Sequence, residues 1–573
     1  MIRLFKRMNY KHVAASIFFM FVQIMSTLAL PTLTANMIDN GVAVGNIDYI
    51  WKIGIGMLIV TVISIGGAFL NVHFAAVESQ GLGDQLRREI YNKVMHLSNE
   101  ELDGIGTSTL ITRTTNDVMQ IQMVSMMILR SMIMAPIMIF GAGFLAYQRE
   151  PQLAFVFLIS VPLLAIVLGT ILKLVNPLFK KLQTQTDNLN RIFREGLTGI
   201  RVIRAFNRSE YEEERFDEAN NDFSSTSKRA MSLLSLNFPM LTIIASLTNI
   251  LILWFGAQLI DADQMQIGNL VAFLTYAGQI LIGVMNLAFV AFFLPRGQVS
   301  AQRINEVLDI EKTIVNPVDS KIEQQTTDIS LAFEEVNFRY TGAEKLALKD
   351  INFHMKAGET LAIIGGTGSG KTSIANLIPR FYDVESGSVK INGVDVREIT
   401  QEELRKEIGF APQKALLFSG TIRENMQYGN PGATDEEIWH ALEIAQGKEF
   451  VSELPKQLGH WVEQGGGNFS GGQRQRLSIA RALVTKANIF IFDDSFSALD
   501  FKTDTKLRRA LKPETTESIV VLIAQRISTV LDADLILVLD NGRIVGKGTH
   551  QELKESNEVY QEIMNSQLKG EEI

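Results

Sequence analysis

The sequence predicts two unlike parts, an all-α membrane domain of six helices followed by an α/β domain. Six long apolar stretches lie before residue 296, and short β-branched runs alternate with helical stretches from about Leu331 onward. A glycine-rich loop follows one of these β-branched runs. Alternating strands and helices are typical of an α/β unit built on a sheet. We therefore expect domains at 1–310 and 331–573, joined by a polar linker at 311–330 that contains Pro317.

Each apolar stretch is long enough to cross a bilayer, which needs about 20 residues of helix. Charged residues are nearly absent from them, which disfavours six buried helices of a soluble protein. Arg130, in the third stretch, is expected to extend toward the cytoplasmic interface. Pro31 is expected to kink the first helix, with the freed carbonyl satisfied by a neighbour. The stretches are Val13–Ala35, Ile53–Ala75, Met123–Tyr147, Gln152–Leu174, Leu233–Leu259 and Leu270–Pro295.

The loop charges predict a multi-pass plasma-membrane protein with both termini in the cytoplasm. The N-terminus carries Arg3, Lys6, Arg7 and Lys11, and the loops after the second and fourth stretches are also basic. The opposite loops are short and mostly acidic or neutral, as the positive-inside rule requires. Both long cytoplasmic loops have helical spacing. We expect the membrane helices to continue into the cytoplasm, with tips near Gly106–Thr112 and Asn207–Arg215.

Composition excludes several classes of protein. The 573 residues include 54 basic and 62 acidic side chains, a net charge of −8, whereas a nucleic-acid binder is usually basic. We therefore expect no nucleic-acid partner. The chain has no cysteine, which excludes a disulfide scaffold, a cysteine zinc site and a thiol nucleophile.

The glycine-rich loop has the context of a phosphate-binding loop. It follows the strand-like run that begins at Thr360, and a helix opens after it. Glycines let successive backbone N–H groups turn toward one anion, and the helix presents its positive N-terminus. Lys371 is placed for the β- and γ-phosphates and Thr372 for Mg²⁺. The second part is therefore expected to be a P-loop nucleotide-binding domain. The expected nucleotide-binding residues of this loop are Gly365, Gly366, Thr367, Gly368, Ser369, Gly370, Lys371, Thr372 and Ser373.

Two further motifs complete the pattern. A hydrophobic run from Ile489 ends in the carboxylates of Asp493 and Asp494, and Asp493 fits the acid that organises Mg²⁺. A Ser-Gly-Gly-Gln segment at 470–473 precedes a helix and forms a second candidate anion cradle. One nucleotide site cannot easily use two cradles of one subunit. Two subunits facing head to tail can each close the other's site.

With these motifs in order along the whole chain, the sequence resembles the ATP-binding cassette (ABC) exporters of the bacterial multidrug type. The resemblance implies a half-transporter that uses ATP and Mg²⁺. It also implies that Tyr340 stacks on adenine and that Gln413 contacts Mg²⁺ and the attacking water. Asp500 matches the loop that communicates across the dimer. The residues that match the signature for the other subunit's ATP are Phe469, Ser470, Gly471, Gly472 and Gln473.

Two departures from the family pattern predict a weakened site. Asp494 occupies the position of the catalytic glutamate, and its carboxylate falls roughly 1–1.5 Å short of a water placed for glutamate. Such a shift can cost on the order of 10²-fold in rate. Gln525 occupies the position of the switch histidine, and its amide can hydrogen-bond but cannot become cationic. We therefore expect the degenerate half of a heterodimer whose partner carries the consensus glutamate and histidine.

The expected function is ATP-driven efflux of hydrophobic or amphiphilic compounds by alternating access. The apolar stretches offer few polar groups, and each of these is also typical of a helix–helix hydrogen bond. A lipid flippase and a nucleotide-gated channel or regulatory ABC subunit stay open as alternatives, as does a homodimer. The polar residues are Gln23, Asn71, Asn237, Asn249, Gln279 and Asn286.

Overall fold

The computed structural model describes residues 1–321 and 329–571. Their contacts divide the chain into two compact units. Unit 1 consists of Met1–Met95 and Ser108–Asp309, and unit 2 of His96–Thr107 and the chain from Ile310 onward. The segment 96–107 therefore packs with the second unit, although the sequence predicts contiguous domains at 1–310 and 331–573. Part of the expected linker, residues 322–328, lies outside the described residues.

Unit 1 confirms the all-α prediction of six membrane-spanning helices. Short helices also lie at Ile2–Phe5 and Ile200–Ala205, and Asn99–Ile105 in unit 2 follows the second long helix. The first long helix ends in a π-helical turn at Ile38–Val42, and two further π-helical turns, at Arg113–Asp117 and Ile128–Met132, interrupt the third. The six helices, which we call spans 1–6, are Tyr10–Val42, Ile47–Met95, Thr107–Arg149, Pro151–Thr198, Ser209–Asp261 and Ile267–Leu308.

The long helices continue beyond their apolar stretches, as expected, but the loop tips lie earlier than predicted. Spans 2 and 4 end at Met95 and Thr198, about 20 residues past the stretches inside them. The first tip falls within His96–Gly106, and residues 107–112 are already helical, so that part of the prediction was wrong. Gly106 adopts a φ of +80°, which breaks the helix there. The second tip is 199–208, and the helix resumes at Ser209.

Polar groups inside unit 1 tie the helices to one another. Pro31 lacks an N–H and so frees the carbonyl of Thr27, which accepts a hydrogen bond from Gln279 Nε2 of span 6 at 3.3 Å. The expectation that a neighbour satisfies this carbonyl is confirmed. Asn71 Nδ2 donates to the backbone oxygen of Ser16 at 2.8 Å and to its hydroxyl at 3.0 Å. Asn71 and Gln279 therefore make helix–helix contacts.

Unit 2 is built on a six-stranded and a four-stranded sheet in the described part of the chain. The larger sheet has the order β12-β11-β3-β10-β9-β6, and the smaller one β2-β1-β4-β5; β7 and β8 pair separately. The strands are β1 Ser330–Phe338, β2 Leu348–Lys356, β3 Thr360–Gly365, β4 Ser386–Ile391, β5 Val394–Asp395, β6 Ile408–Ala411, β7 Gly420–Thr421, β8 Trp461–Val462, β9 Ile489–Asp493, β10 Ile519–Ile523, β11 Leu535–Asp540 and β12 Arg543–Gly548.

The central strands of the larger sheet are buried on both faces. Phe490 and Phe492 of β9 pack into one core, and Ile489 and Ile491 pack into the other. Side chains alternate along a strand, so each strand serves both cores, as parallel sheets require. The helices of unit 2 after the linker are Lys371–Leu377, Gln401–Lys406, Ile422–Gln427, Asp435–Ile444, Lys448–Glu453, Gly471–Leu483, Phe501–Glu514, Ile527–Val530, His550–Ser556 and Glu558–Glu571, with 3-10 turns at Val396–Glu398, Gln457–Gly459 and Gln464–Gly466.

Candidate nucleotide site

Four neighbouring strands of the larger sheet assemble the candidate site at one edge. Strands β3, β10, β9 and β6 run parallel and are adjacent in that order. Their carboxyl ends lead into the glycine-rich loop, Gln525, Asp493 with Asp494, and Gln413. Ligands of open α/β sheets bind at this edge. The topology therefore brings together residues that lie up to about 160 positions apart in the chain, from Gly365 to Gln525.

The glycine-rich loop has the backbone of an anion cradle. Gly368 and Gly370 adopt φ values of +82° and +106°, a region that side chains disfavour. Lys371 Nζ donates to the backbone oxygens of Gly365 and Gly366 at 2.9 and 2.8 Å, which holds the ammonium over the loop. Burial lowers the pKa of Lys371, although Asp494 and Asp493 oppose this. The buried hydroxyl of Ser369 has no hydrogen-bond partner among the described residues, so it is available to a phosphate oxygen.

Asp493 and Thr372 form an oxygen pair of the kind that Mg²⁺ binds. The Thr372 hydroxyl donates to Asp493 Oδ1 at 3.2 Å. Burial raises the pKa of Asp493 to about 6, with a smaller contribution from the neighbouring Asp494. A buried carboxylate is costly without a compensating cation, so these residues fit a divalent ion.

Asp494 is held by two amides. Gln525 Nε2 donates to Asp494 Oδ2 at 2.9 Å, and Gln413 Nε2 donates to the same oxygen at 3.4 Å. The backbone of Asp494 has a φ of +48°, a left-handed conformation that is strained for a residue with a side chain. Burial raises the pKa of Asp494, and the hydrogen bond from Gln413 opposes the shift.

The expected nucleotide residues, except Gly365 and Gly366, line one cavity of about 490 Å³. Tyr340 borders it, with its hydroxyl 2.9 Å from Ser373 Oγ. The ring of Tyr340 packs edge-on against Phe338 and Tyr382. The glycine-rich loop, Gln413, the two aspartates and Gln525 form the rest of the wall.

The signature segment and Asp500 lie apart from this cavity. Ser470 caps the helix Gly471–Leu483 in a reciprocal pair with Gln473, and its side chain is exposed. Phe469 is buried against Phe450 and His460. Neither Ser470 nor Asp500 is among the residues lining the cavity.

Sequence reasoning missed two glutamines that support the site. Gln567 Nε2 donates to the backbone oxygen of Gln525 at 2.6 Å, and its Oε1 accepts from the N–H of Ile527 at 2.8 Å. Gln475 Oε1 accepts from the N–H of Ala498 and so joins the signature helix to the segment after β9. No local motif signals Gln567, because it belongs to a C-terminal helix about 40 residues after Gln525.

Known proteins share this arrangement. Residues 13–285 match the ABC transporter transmembrane region, and residues 348–497 match the ABC transporter family. An uncharacterized ABC transporter ATP-binding protein of Mycobacterium tuberculosis is 39% identical over 554 residues, or 96% of this chain and 95% of that protein. An ATP-dependent lipid A-core flippase of Desulfotalea psychrophila is 34% identical over 498 residues, or 86% of each chain. The structure of a bacterial Atm1-family ABC exporter with ATP bound has a TM-score of 0.79 at 24% identity and covers 97% of this chain and 99% of its own.

The chain therefore belongs to the ABC transporters. It is a half-transporter of the exporter fold, with one multi-pass membrane region and one ATP-binding region. Half-transporters work as dimers in a lipid bilayer, and the ATP-binding region of this family binds ATP with Mg²⁺ and hydrolyses it.

Proposed function

We propose that this chain is the degenerate half of a heterodimeric exporter that expels hydrophobic or amphiphilic compounds, with both termini in the cytoplasm. The observation that carries the proposal is the state of Asp494. Its Oδ2 accepts from both Gln525 and Gln413. A carboxylate that is one methylene short and held by two amide donors is a poor base for a water, because proton transfer needs an oxygen within about 2.6–3.2 Å.

The remaining residues support binding of ATP without fast hydrolysis. The loop amides, Lys371 and the free hydroxyl of Ser369 are arranged for phosphates, and Thr372 with Asp493 for Mg²⁺. Gln525 cannot supply a cationic donor as a histidine does. We infer that Phe469–Gln473 completes the partner's active site, where hydrolysis resets the transporter.

Polar contacts that also bear on alternating access join spans 1, 3 and 6 at the helix ends far from the N-terminal segment. Arg149 donates to Asn269 and Asn36 at 2.9 Å each, which joins span 3 to spans 6 and 1. Asn269 in turn donates to Glu150 at 3.1 Å. These bonds are intact in this structure. We infer that opening toward the other side of the membrane separates some of them.

The proposed substrates follow from the near absence of charged residues in the six apolar stretches. The amide oxygens of Asn237 and Asn249 on span 5 are buried and have no partner among the described residues. A strongly charged solute is costly in such surroundings, whereas an amphiphile with a hydrogen-bond donor is suited to them. A lipid flippase is the second candidate, because relatives 34% and 33% identical are named lipid A-core flippases.

The test is phosphate release by this chain alone and with the half-transporter that co-purifies with it. Changing the partner's glutamate to glutamine is expected to reduce turnover on the order of 10²-fold or more. Asp494→Asn in this chain is the matched change and is expected to leave most of the turnover. Asp494→Glu with Gln525→His is expected to create a second active site. If the two ATP sites of the unaltered pair hydrolyse ATP at equal rates, the proposal that this chain carries the weakened site is contradicted.

A further inference from the structure

An open groove of about 510 Å³ lies in unit 1 where the N-terminal segment meets spans 1 and 3. Phe5, Met8, Val13, Ala14 and Ile17 form one wall, and Ile128, Leu129 and Ile133 form the other. Three polar side chains also line it: Lys6, Tyr10 and Ser125. Ser125 is buried and already contacts the hydroxyl of Ser79. The groove is therefore apolar along its length, with Lys6 as its cation.

The direction of the groove follows from the helices that line it. Span 1 enters the membrane from the N-terminal segment, so Ile17 lies deeper than Tyr10. In span 3 the residues from Ser125 to Ile133 cover about 12 Å of helix, at about 1.5 Å per residue. Lys6 and Tyr10 therefore lie at the shallow end, on the side of the bilayer that carries the N-terminus.

No residue that the structure describes forms an ion pair with Lys6. The N-terminal segment has four cations, of which Arg3 pairs with Asp309 at 2.6 Å and Arg7 with Glu89 at 2.8 Å. Lys6 and Lys11 make no ion pair with any residue that the structure describes. The pairing of the neighbouring arginines fixes the segment, so Lys6 is presented at the groove on an anchored backbone.

We propose that this groove binds an anionic phospholipid of the cytoplasmic leaflet, with an acyl chain along the apolar walls and the phosphate at Lys6. Charge complementarity argues for this occupant. A neutral amphiphile would leave the Lys6 cation unpaired, whereas a lipid phosphate pairs with it at the depth where headgroups lie. Arg130 supports the assignment: it is exposed, unpaired in the described chain, and belongs to the π-helical turn that supplies Ile128 and Leu129.

The bound lipid has a route to transport activity. The same N-terminal segment is bonded to span 2 through Arg7 and to the end of span 6 through Arg3. Asp309, the partner of Arg3, is the last residue of unit 1 before the chain continues into unit 2. A lipid that binds one arrangement of this segment better than another shifts the conformational equilibrium toward it. The lipid is regulatory here and is distinct from any transported substrate.

The test uses the full chain with its partner in vesicles that contain photoactivatable phosphatidylglycerol. Labelling of peptides spanning 5–17 and 125–133 is measured by mass spectrometry, with unlabelled phosphatidylglycerol or phosphatidylcholine as competitor. We expect phosphatidylglycerol to compete better. Lys6→Ala should weaken the competition by phosphatidylglycerol about fivefold, because one lysine near a membrane surface usually contributes that much. The competition by phosphatidylcholine should not change.

Two further variants distinguish the explanations. Lys11→Ala is the matched control, an unpaired cation of the same segment that does not line the groove, and it should change nothing. Ala14→Phe fills the apolar part at an exposed position and should abolish the labelling by photoactivatable phosphatidylglycerol. Equal effects of Lys6→Ala and Lys11→Ala would overturn the proposal in favour of a diffuse basic surface. Displacement of the label by a transported hydrophobic compound, or no preference for phosphatidylglycerol, would overturn it as well.

Discussion

The first loop, His96–Thr107, hydrogen-bonds to other residues of unit 2, whereas the second loop, at 199–208, exposes apolar side chains. Glu101 of the first loop accepts from the N–H and the hydroxyl of Thr313, at 2.6 Å each. Tyr382 donates to Asp103 at 3.1 Å, and Thr341 donates to Glu100. The first loop thus has partners within its own chain.

The second loop has a different surface. Phe206 is 75% exposed, Val202 60% and Ile200 42%. A cavity of about 520 Å³ is lined by residues of the loop and of the two helices that flank it, and Arg215 ties these helices together through Glu195 at 2.8 Å. Arg204 and Glu214 are exposed and make no ion pair with the residues that the structure describes. Both therefore have the surroundings of ordinary solvated charges. An exposed apolar tip of this kind marks an interaction site.

The first loop has its partners within the chain, whereas no residue that the structure describes covers the apolar side chains of the second. We propose that the second loop docks on the ATP-binding region of the partner. The first loop would then report on the nucleotide of its own chain, because Tyr382 also packs against Tyr340 at the nucleotide cavity. Substitutions in the two loops should therefore differ in whether a partner is needed to see their effect.

The largest effect is expected from Phe206→Asp. Burial of a phenylalanine contributes about 1.5–3 kcal/mol, so its loss should reduce substrate-stimulated ATP hydrolysis by the assembled dimer at least about tenfold. The thermal stability of the chain alone should not change, because the side chain is exposed there. Phe206→Leu is the control and should retain most of the activity. An equal loss of stability in the isolated chain would show that the loop is not an intersubunit surface.

A smaller effect is expected from Tyr382→Phe, which removes the donor to Asp103 and keeps the ring. The hydrogen bond should contribute about 1 kcal/mol. A double-mutant cycle with Asp103→Ala should return a coupling of this size in denaturant unfolding of the isolated chain. Hydrogen exchange of residues 96–107 should become faster in both single variants. A coupling near zero would show that this contact does not hold the loop.

The smallest effect is expected from Glu101→Gln and depends on pH. Burial raises the pKa of Glu101, but the hydrogen bonds from Ser98 and Thr313 outweigh it, and the net pKa is lowered from 4.5. The ionised form therefore stabilises the folded chain above pH 4.5, and this contribution is lost as the pH falls through the lower folded pKa. Because the group is mostly solvated, the difference from Glu101→Gln should be about 0.5 kcal/mol at neutral pH. Unfolding of both proteins at several pH values checks this, and a difference that persists in acid would exclude the carboxylate as its cause.

Much of the fold could be read from the sequence, because the signals are local. The six spans follow from runs of apolar residues, and the phosphate loop from glycines between a strand and Lys371. The sequence also identifies Asp493 and Asp494 as site residues, because two carboxylates end a buried strand. The positions of the loop tips are predicted less accurately. No strong turn signal besides Gly106 marks where the chain reverses between spans 2 and 3.

The six spans, the P-loop domain and the departures from the family pattern at Asp494 and Gln525 follow from the sequence alone, since each depends on residue type and on short-range spacing. The meeting of the amides of Gln525 and Gln413 on one oxygen of Asp494 depends on the tertiary structure. That outcome depends on the strand order β3-β10-β9-β6, which joins elements distant in the chain. Tertiary packing also decided that the first loop joins unit 2 and the second remains exposed. Both loops have helical flanks, and only long-range contacts with Thr313, Thr341 and Tyr382 distinguish them.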